Sequence, residues 1–250
     1  MVQSLHNKRI LVTGAATGIG AATVEALTLA GAKVAATFNN TEPANEFGAS
    51  WVRCDVTDPD SVDAAFAEAI KELGGLDVLI HAAGLWEAGI PGNIGTENLH
   101  KMMNINFSGT VLTNQAAHAA MRGSGGRIIN FGSSEGVTGS PVSATYAASK
   151  AAVHSWTRSA AKSWAVDNVT VNTIAPAVQT PGADKLRKFL GPDAGAMIDE
   201  QLKSAIPLGG KLGDPLVDLG PVLVFLSSDG SKFITGQFHS VDGGLLMVGG

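Results

Sequence analysis

Residues 9–31 constrain the fold of this chain more than any other stretch. Arg9 to Thr13 (RILVT) is a short apolar run bounded by glycine, the pattern of a buried parallel strand. Gly14-Ala-Ala-Thr17-Gly18-Ile19-Gly20 follows directly, and a helical pattern then runs from Ala21 to Ala30 and stops at Gly31. Strand, glycine turn and helix thus come in immediate succession at the start of the chain.

Glycines in such a turn let the backbone approach a phosphate closely, and the helix N-terminus offers free N–H groups and a positive dipole end. The spacing is Gly-x-x-x-Gly-x-Gly rather than Gly-x-Gly-x-x-Gly. Its position after the first strand and before the first helix points to nucleotide binding.

The alternation continues. Strands are expected at Lys33–Phe38, Trp51–Cys54, Asp77–Ala82, Arg127–Phe131, Val169–Ile174 and Phe238–Val241. The segment between the second and third strands carries Glu42 and Glu46 and predicts only a truncated helix. A full helix is expected from Asp58 as N-cap and Pro59 at the first position to about Leu73, closed by Gly74-Gly75. Others are expected from Thr96 to about Met121, from the Ala147 region to about Val166, and from Leu216 to Leu226. Residues 177–213 read as a long, irregular, partly helical insert, of the kind that forms a lid. The pattern predicts a single α/β domain over residues 1–250, doubly wound, with a parallel seven-stranded sheet. Gly14, Asp55, Ala83, Ser133 and Pro176 fall at carboxyl ends of expected strands, where ligands bind in such sheets.

Composition narrows the function classes. The chain has 250 residues and a net charge of −5 with no basic block, which disfavours nucleic acid. Cys54 is the only cysteine and the six histidines are scattered, so neither a disulfide nor a metal site is expected. The polar start lacks a signal-peptide core and no apolar run is long enough to cross a bilayer, so a cytoplasmic, soluble protein is expected.

Tyr146 is the only tyrosine, and Lys150 follows it by four residues in an alanine-rich helical run. Residues i and i+4 share a helix face, so phenol and ammonium would point the same way. A lysine there is expected to lower the phenol's pKa and give a proton donor and acceptor near neutral pH. An aromatic in a helix core and a lysine on a solvated face remain the alternative for the pair taken alone.

Thr13-Gly14-x-x-x-Gly18-x-Gly20, Asp55-Val56, Ala83-Gly84, Asn106-x-x-Gly109, Ser133, Tyr146-x-x-x-Lys150 and Asn172 near Pro176 occur in this order. Together they resemble the short-chain dehydrogenase/reductase family, over essentially the whole chain from Ile10 to Gly244. The resemblance implies a Rossmann-type fold and an oxidoreductase that moves a hydride between NAD(P)(H) and an alcohol or ketone. It makes Tyr146 the general acid/base, Lys150 its electrostatic partner and ribose ligand, Ser133 the group that holds the substrate oxygen, and Asn106 the holder of a water leading from Lys150 to solvent. Gly14, Gly18 and Gly20 would line the cofactor's pyrophosphate and adenosine side. Asp55 would accept from the adenine amino group and Thr180 would touch the carboxamide or pyrophosphate. Thr17, Ile19, Phe38, Asn39, Val56, Ala83, Gly84, Pro176 and Val178, with Tyr146 and Lys150, complete the expected cofactor contacts. Asp55 as a helix-start residue, and Ser133 as a turn cap, are the structural alternatives.

The sequence also departs from the family pattern. His81-Ala82-Ala83-Gly84 stands where Asn-Asn-Ala-Gly is usual, and His81 is read as a core histidine that braces the sheet. Pro176-Ala177 replaces Pro-Gly, and Thr180 arrives one residue early. Phe38 occupies the place of an acid that would favour NAD, and neither Thr17 nor Asn39 is the base that would pair with a 2′-phosphate. Asn39, Asn40 and Thr41 can hydrogen-bond a phosphate, which leans the reading to NADP(H). Leu85, Trp86, Glu87, Ser140, Pro141, Val142 and Val178, with residues 182–205 of the insert, would wall a mostly apolar pocket for a small-to-medium, largely apolar alcohol or ketone. The family resemblance and the small residues of the helices holding Asn106 and Tyr146 imply a homotetramer. A catalytically silent NAD(P)-binding regulatory protein, and an epimerase or dehydratase that retains its cofactor, are the competing functions.

Overall fold

Seven strands make one parallel sheet in the order β3-β2-β1-β4-β5-β6-β7 in a computed structural model that describes residues 4–247. The first three residues, part of the polar start noted above, and the last three of the expected domain lie outside it. The elements run β1 (Arg9–Thr13), α1 (Gly18–Leu29), β2 (Lys33–Phe38), β3 (Ser50–Arg53), α2 (Pro59–Leu73), β4 (Val78–His81), α3 (Thr96–Met103), α4 (Gly109–Met121), β5 (Gly126–Phe131), α5 (Glu135–Thr138), α6 (Ala144–Trp164), β6 (Val169–Pro176), α7 (Pro181–Ala205), α8 (Gly220–Ser227) and β7 (Phe238–Val241). The order reverses at β1, between β2 on one side and β4 on the other.

Both faces of the sheet are covered, which is why β1 and β4 read as continuous apolar runs. Alternate residues feed opposite layers. Leu11, Leu79 and Ile128 pack with Val62, Phe66 and Met121 on the side of α2 and α4. Ile10, Val12 and Ile80 pack with Val24, Leu27 and Leu223 on the side of α1 and α8. Helix α2 begins and ends where its sequence dictates. The Asp58 carboxylate accepts from the Asp60 N–H, Pro59 follows it, and Gly74 closes the helix at φ 79°.

Three segments differ from expectation. Residues 39–49 contain no helix at all, and the crossover from β2 to β3 is made by turns. The expected helix from Thr96 to Met121 is interrupted by a π-helical turn, Asn104–Ser108, between α3 and α4. The insert is far more helical than its prolines and glycines suggest. They fall where a helix tolerates them: Pro181 is in the first turn of α7, and Gly191, at φ 81°, breaks the helix immediately before Pro192. A bridge between Val178 and Gly213 pinches the insert at its base.

One row of side chains crosses the sheet just below the strand ends. Thr13, His81, Asn130 and Thr173 are in register on β1, β4, β5 and β6, and all four are buried. Helices α4 and α6 supply partners to the row, although His81 Nε2 has none. His81 Nδ1 lies 2.9 Å from both the Thr13 and Thr113 hydroxyls. Asn130 and Asn114 exchange two amide bonds of 2.9 Å. Thr157 accepts from Asn130 and also accepts from the Thr173 hydroxyl at 2.7 Å. His81 is therefore a brace, as read from the sequence. Burial and the Lys150 charge push its pKa down to about 3, so the imidazole is neutral.

Candidate active site

A cavity of about 680 Å³ opens above this row at the carboxyl ends of the strands. All the expected cofactor contacts line it: Gly14, Thr17, Gly18, Ile19, Gly20, Phe38, Asn39, Asp55, Val56, Ala83, Gly84, Tyr146, Lys150, Pro176, Val178 and Thr180. Ser133 lines it too, whereas Asn106 is fully buried behind it.

The glycine turn is shaped by contact as much as by dihedral angle. Gly14 has φ 62°, and a Cβ there would lie 2.4 Å from the Cα of Ala83. Thr17 precedes α1 without a side-chain cap, so the first-turn N–H groups at Gly18, Ile19 and Gly20 are left for an anion in the cavity. Pro181 of the insert seats on this turn, its Cδ 3.2 Å from a Cβ built at Gly18. An uncapped helix end on a cavity of this size fits the diphosphate of a nicotinamide dinucleotide.

At the adenosine end, the Asp55 carboxylate accepts from the Thr57 hydroxyl at 2.7 Å and the Thr57 N–H at 2.9 Å. These bonds, with one from the Asn39 side chain, hold it below its usual carboxylate range. Helix capping falls to Asp58, so Asp55 is not the helix-start residue. Phe38 packs on Trp51 with ring centroids 6.5 Å apart. Thr180 spends its hydroxyl oxygen on the Ala183 N–H, at 3.1 Å, as the N-cap of α7.

The polar centre lies between β5 and α6. The Ser133 hydroxyl lies near enough to the Tyr146 phenol to favour its ionised form, and accepts from the Glu135 N–H at 3.2 Å. Lys150 is 6% exposed and donates to the Phe131 carbonyl at 2.8 Å, with Nζ 5.7 Å from the centre of the Tyr146 ring. Burial pushes its pKa down to about 8. Asn106 sits in the π-helical turn, a device common at functional sites. Its amide accepts from the Leu85 N–H at 2.8 Å and donates to the Leu85 carbonyl at 2.9 Å and the Ser149 hydroxyl at 3.0 Å.

Contrary to the expectation from the Tyr146–Lys150 spacing, the Tyr146 pKa is not lowered. The phenol is pushed up to about 12, first by burial and then by the Glu135 charge, against the Ser133 hydroxyl. The ring keeps part of its surface on the cavity, yet dense protein around it makes desolvation dominate. Lys150 faces the ring and the Phe131 carbonyl instead of donating to the phenol oxygen.

Several residues in or beside the cavity carried no sequence motif. Glu135 stands two residues after Ser133 and takes a 2.6 Å bond from the Ser143 hydroxyl, and burial raises its pKa. Its position inside the Ser133–Lys150 stretch was the available signal. Lys101, paired with Glu87, and Lys185 line the cavity from α3 and α7. Trp86 and Phe189 meet edge to face at 6.5 Å, joining the loop after β4 to the insert. Among the described residues no group of three or more His, Cys, Asp or Glu could hold a metal ion, and no helix is long and apolar enough to cross a membrane.

The chain is similar to known oxidoreductases over nearly its whole length. The family described as enoyl-(acyl carrier protein) reductase matches residues 14–246. The chain is 35% identical to a 2,5-dichloro-2,5-cyclohexadiene-1,4-diol dehydrogenase of Sphingobium indicum, over 99% of this chain and 100% of that one. It is 36% identical to a sorbitol dehydrogenase of Cereibacter sphaeroides, over 96% and 98%. Among solved structures, the ligand-free aldohexose dehydrogenase of Thermoplasma acidophilum superposes with a TM-score of 0.88 at 28% identity, over 96% of this chain and 94% of that one. The chain belongs to the short-chain dehydrogenase/reductase family, oxidoreductases that work with a nicotinamide cofactor.

Proposed function

We propose that this protein reduces a small-to-medium, largely apolar ketone to an alcohol, or runs the reverse oxidation, with Tyr146 as general acid/base. The observation that carries the reading is the placement of Ser133, Tyr146 and Lys150 in one cavity with the uncapped N-terminus of α1. When bound, the nicotinamide supplies or takes the hydride.

The residues of the chain manage the oxygen and its proton. A phenol whose pKa stands near 12 is protonated at neutral pH, and so is ready to donate to a ketone oxygen. The Ser133 hydroxyl lies beside that phenol in the cavity and can hold the same oxygen as charge develops on it. Lys150, with its pKa near 8, is mostly cationic at pH 7 and stands in the cavity as the expected ribose ligand. Asn106 ties Leu85 to Ser149 and so fixes the loop over Lys150.

The residues 177–213 serve as the substrate loop in this reading, with Phe189 and Trp86 closing over the alcohol or ketone. Named activities of the relatives, on a diol, sorbitol and an aldohexose, support alcohol oxidation as the reaction type. The absence of an acid at Phe38 and the amides of Asn39 and Asn40 lean the cofactor to NADP(H). A homotetramer in the cytoplasm completes the proposal, with α4 and α6 as contact helices. Trp156 and Trp164, half-buried on α6, support that face. A single-subunit mass by light scattering at micromolar concentration would overturn the tetramer.

The test is a panel of ketones offered to purified protein with NADH and with NADPH. Oxidation of either nucleotide is the expected result, faster with NADPH. Tight nucleotide binding with no turnover across the panel would instead favour a silent regulatory protein.

A further inference from the structure

The buried His154 of α6 has no place in the chemistry above, yet it touches the backbone of Ser133. Its Nε2 accepts the Ser133 N–H at 3.3 Å. The residue is 6% exposed. Its ring meets Phe238 of β7 edge to face, with centroids 4.8 Å apart.

The chain on the far side of the imidazole is cut to its shape. A Cβ at Gly132 would lie 2.2 Å from His154 Nε2, and a Cβ at Gly136 would lie 2.7 Å from its Cε1. Neither glycine has a positive φ, so their backbone angles do not call for glycine. Gly136 also lies against the backbone of α6, at 2.9 Å from Ala151 N, but the Gly132 site is filled by the imidazole and the Thr173 methyl. The imidazole thus occupies a notch between two residues that flank Ser133.

We infer that His154 is a positioning residue for the reaction, whose imidazole holds the Ser133 hydroxyl at the distance from Tyr146 that proton transfer requires. The inference rests on the role given above to Ser133. The group must be neutral to accept an N–H bond at Nε2, with its proton on Nδ1. Burial, Lys150 and Arg158 push its pKa down to about 4, which keeps it neutral across the working range. Those two cations lie one turn to either side on α6. The groups packed against it from other elements, Gly132, Thr173 and Phe238, do not titrate, and Glu135 of α5 is the nearest carboxylate in sequence to the Gly136 contact.

A direct contact to the main chain of the substrate-holding residue affects orientation, not the nucleotide cleft. Loss of the acceptor should therefore lower kcat and leave nucleotide affinity alone. The experiment compares His154→Leu, His154→Gln and Ser133→Ala in the full chain. NADPH affinity is read by fluorescence titration, and kcat and KM are read with the best ketone of the panel. Leucine fills the notch without an acceptor and should cost about tenfold in kcat at unchanged NADPH affinity. Glutamine carries an oxygen where Nε2 stood and should hold kcat within about threefold of the parent. Equal losses in the leucine and glutamine variants, or a leucine variant with the parent's kcat, overturn the inference. If the leucine variant does not fold, as shown by lost NADPH binding, the glutamine variant decides by the same threefold limit. Ser133→Ala separates the two claims: the parent's rate in that variant overturns the site reading itself, whereas its loss beside an unaffected His154→Leu overturns only the role of His154.

Discussion

The Lys150 ammonium lies 5.7 Å from the centre of the Tyr146 ring and bonds the Phe131 carbonyl, not the phenol. It is a buried cation held by one neutral acceptor, and burial alone moves its pKa from 10.5 to about 8. In the unfolded chain the same lysine keeps its proton to about 10.5. Between these values the unfolded state binds more protons, so stability rises with pH across that window.

Replacing the cation should therefore stabilise the fold. The shift in Lys150 corresponds to roughly 3 kcal/mol at pH 7, less about 1 kcal/mol for the lost Phe131 bond. Lys150→Met should raise stability by about 2 kcal/mol at pH 7 while turnover collapses, and the gain should fade toward pH 10.5. Thermal melting at both pH values, without nucleotide, checks this. A variant less stable than the parent at pH 7 would contradict it.

Tyr146→Phe should remove nearly all turnover, at least about a hundredfold, and leave nucleotide affinity intact. It is the only tyrosine, so no second phenol can substitute. Activity within tenfold of the parent would sink the assignment.

Glu135 raises the Tyr146 pKa through its charge. Glu135→Gln should lower that pKa and shift the pH profile of alcohol oxidation to lower pH, since the phenolate then forms earlier. The rate of ketone reduction at pH 7 should change far less, because the phenol stays protonated there. An oxidation profile that does not move would mean Glu135 is electrostatically silent.

Gly14→Ala meets two obstacles, a left-handed backbone at φ 62° and the Ala83 backbone 2.4 Å away. The first costs about 1–2 kcal/mol and the collision adds to it, for a total of about 3 kcal/mol or more. Urea unfolding should report that loss together with weakened NADPH binding. A variant as stable as the parent would show that the turn can relax away from Ala83.

The edge-to-face contact of Trp86 with Phe189 joins the insert to the sheet side of the cavity. Such a pair contributes about 0.5–1.5 kcal/mol. Phe189→Ala should raise the ketone KM about two- to tenfold with kcat little changed. A loss confined to kcat would place Phe189 in the chemistry instead.

What the sequence reveals divides along physical lines. Asp58, Pro59 and Gly74 mark α2 because capping is local chemistry between neighbours in the chain. The strands read clearly because both faces of the sheet are buried, which forces apolar runs. Residues 39–49 were less legible, since Glu42 and Glu46 suit a short helix or a solvated turn equally well. The π-helical turn at Asn104–Ser108 leaves no composition signature, because one extra residue per turn is set by what Asn106 bonds across space. Many of the residues that line the cavity followed from strand ends and motif order, whereas Lys101 and Lys185 did not. The direction of the Tyr146 shift did not, because burial and Glu135 act through distances that spacing along the chain cannot supply.

The row Thr13, His81, Asn130 and Thr173 also bears on how the sheet assembles. Parallel strands come from distant parts of the chain and pair slowly. Sliding any of the four strands by one residue would turn its polar group into the opposite layer, where Ile10, Val12, Ile80 and Ile129 pack. An imidazole, amide or hydroxyl stranded there loses about 1–3 kcal/mol for want of a partner. The row thus sets an energetic penalty on any one-residue slip in strand alignment.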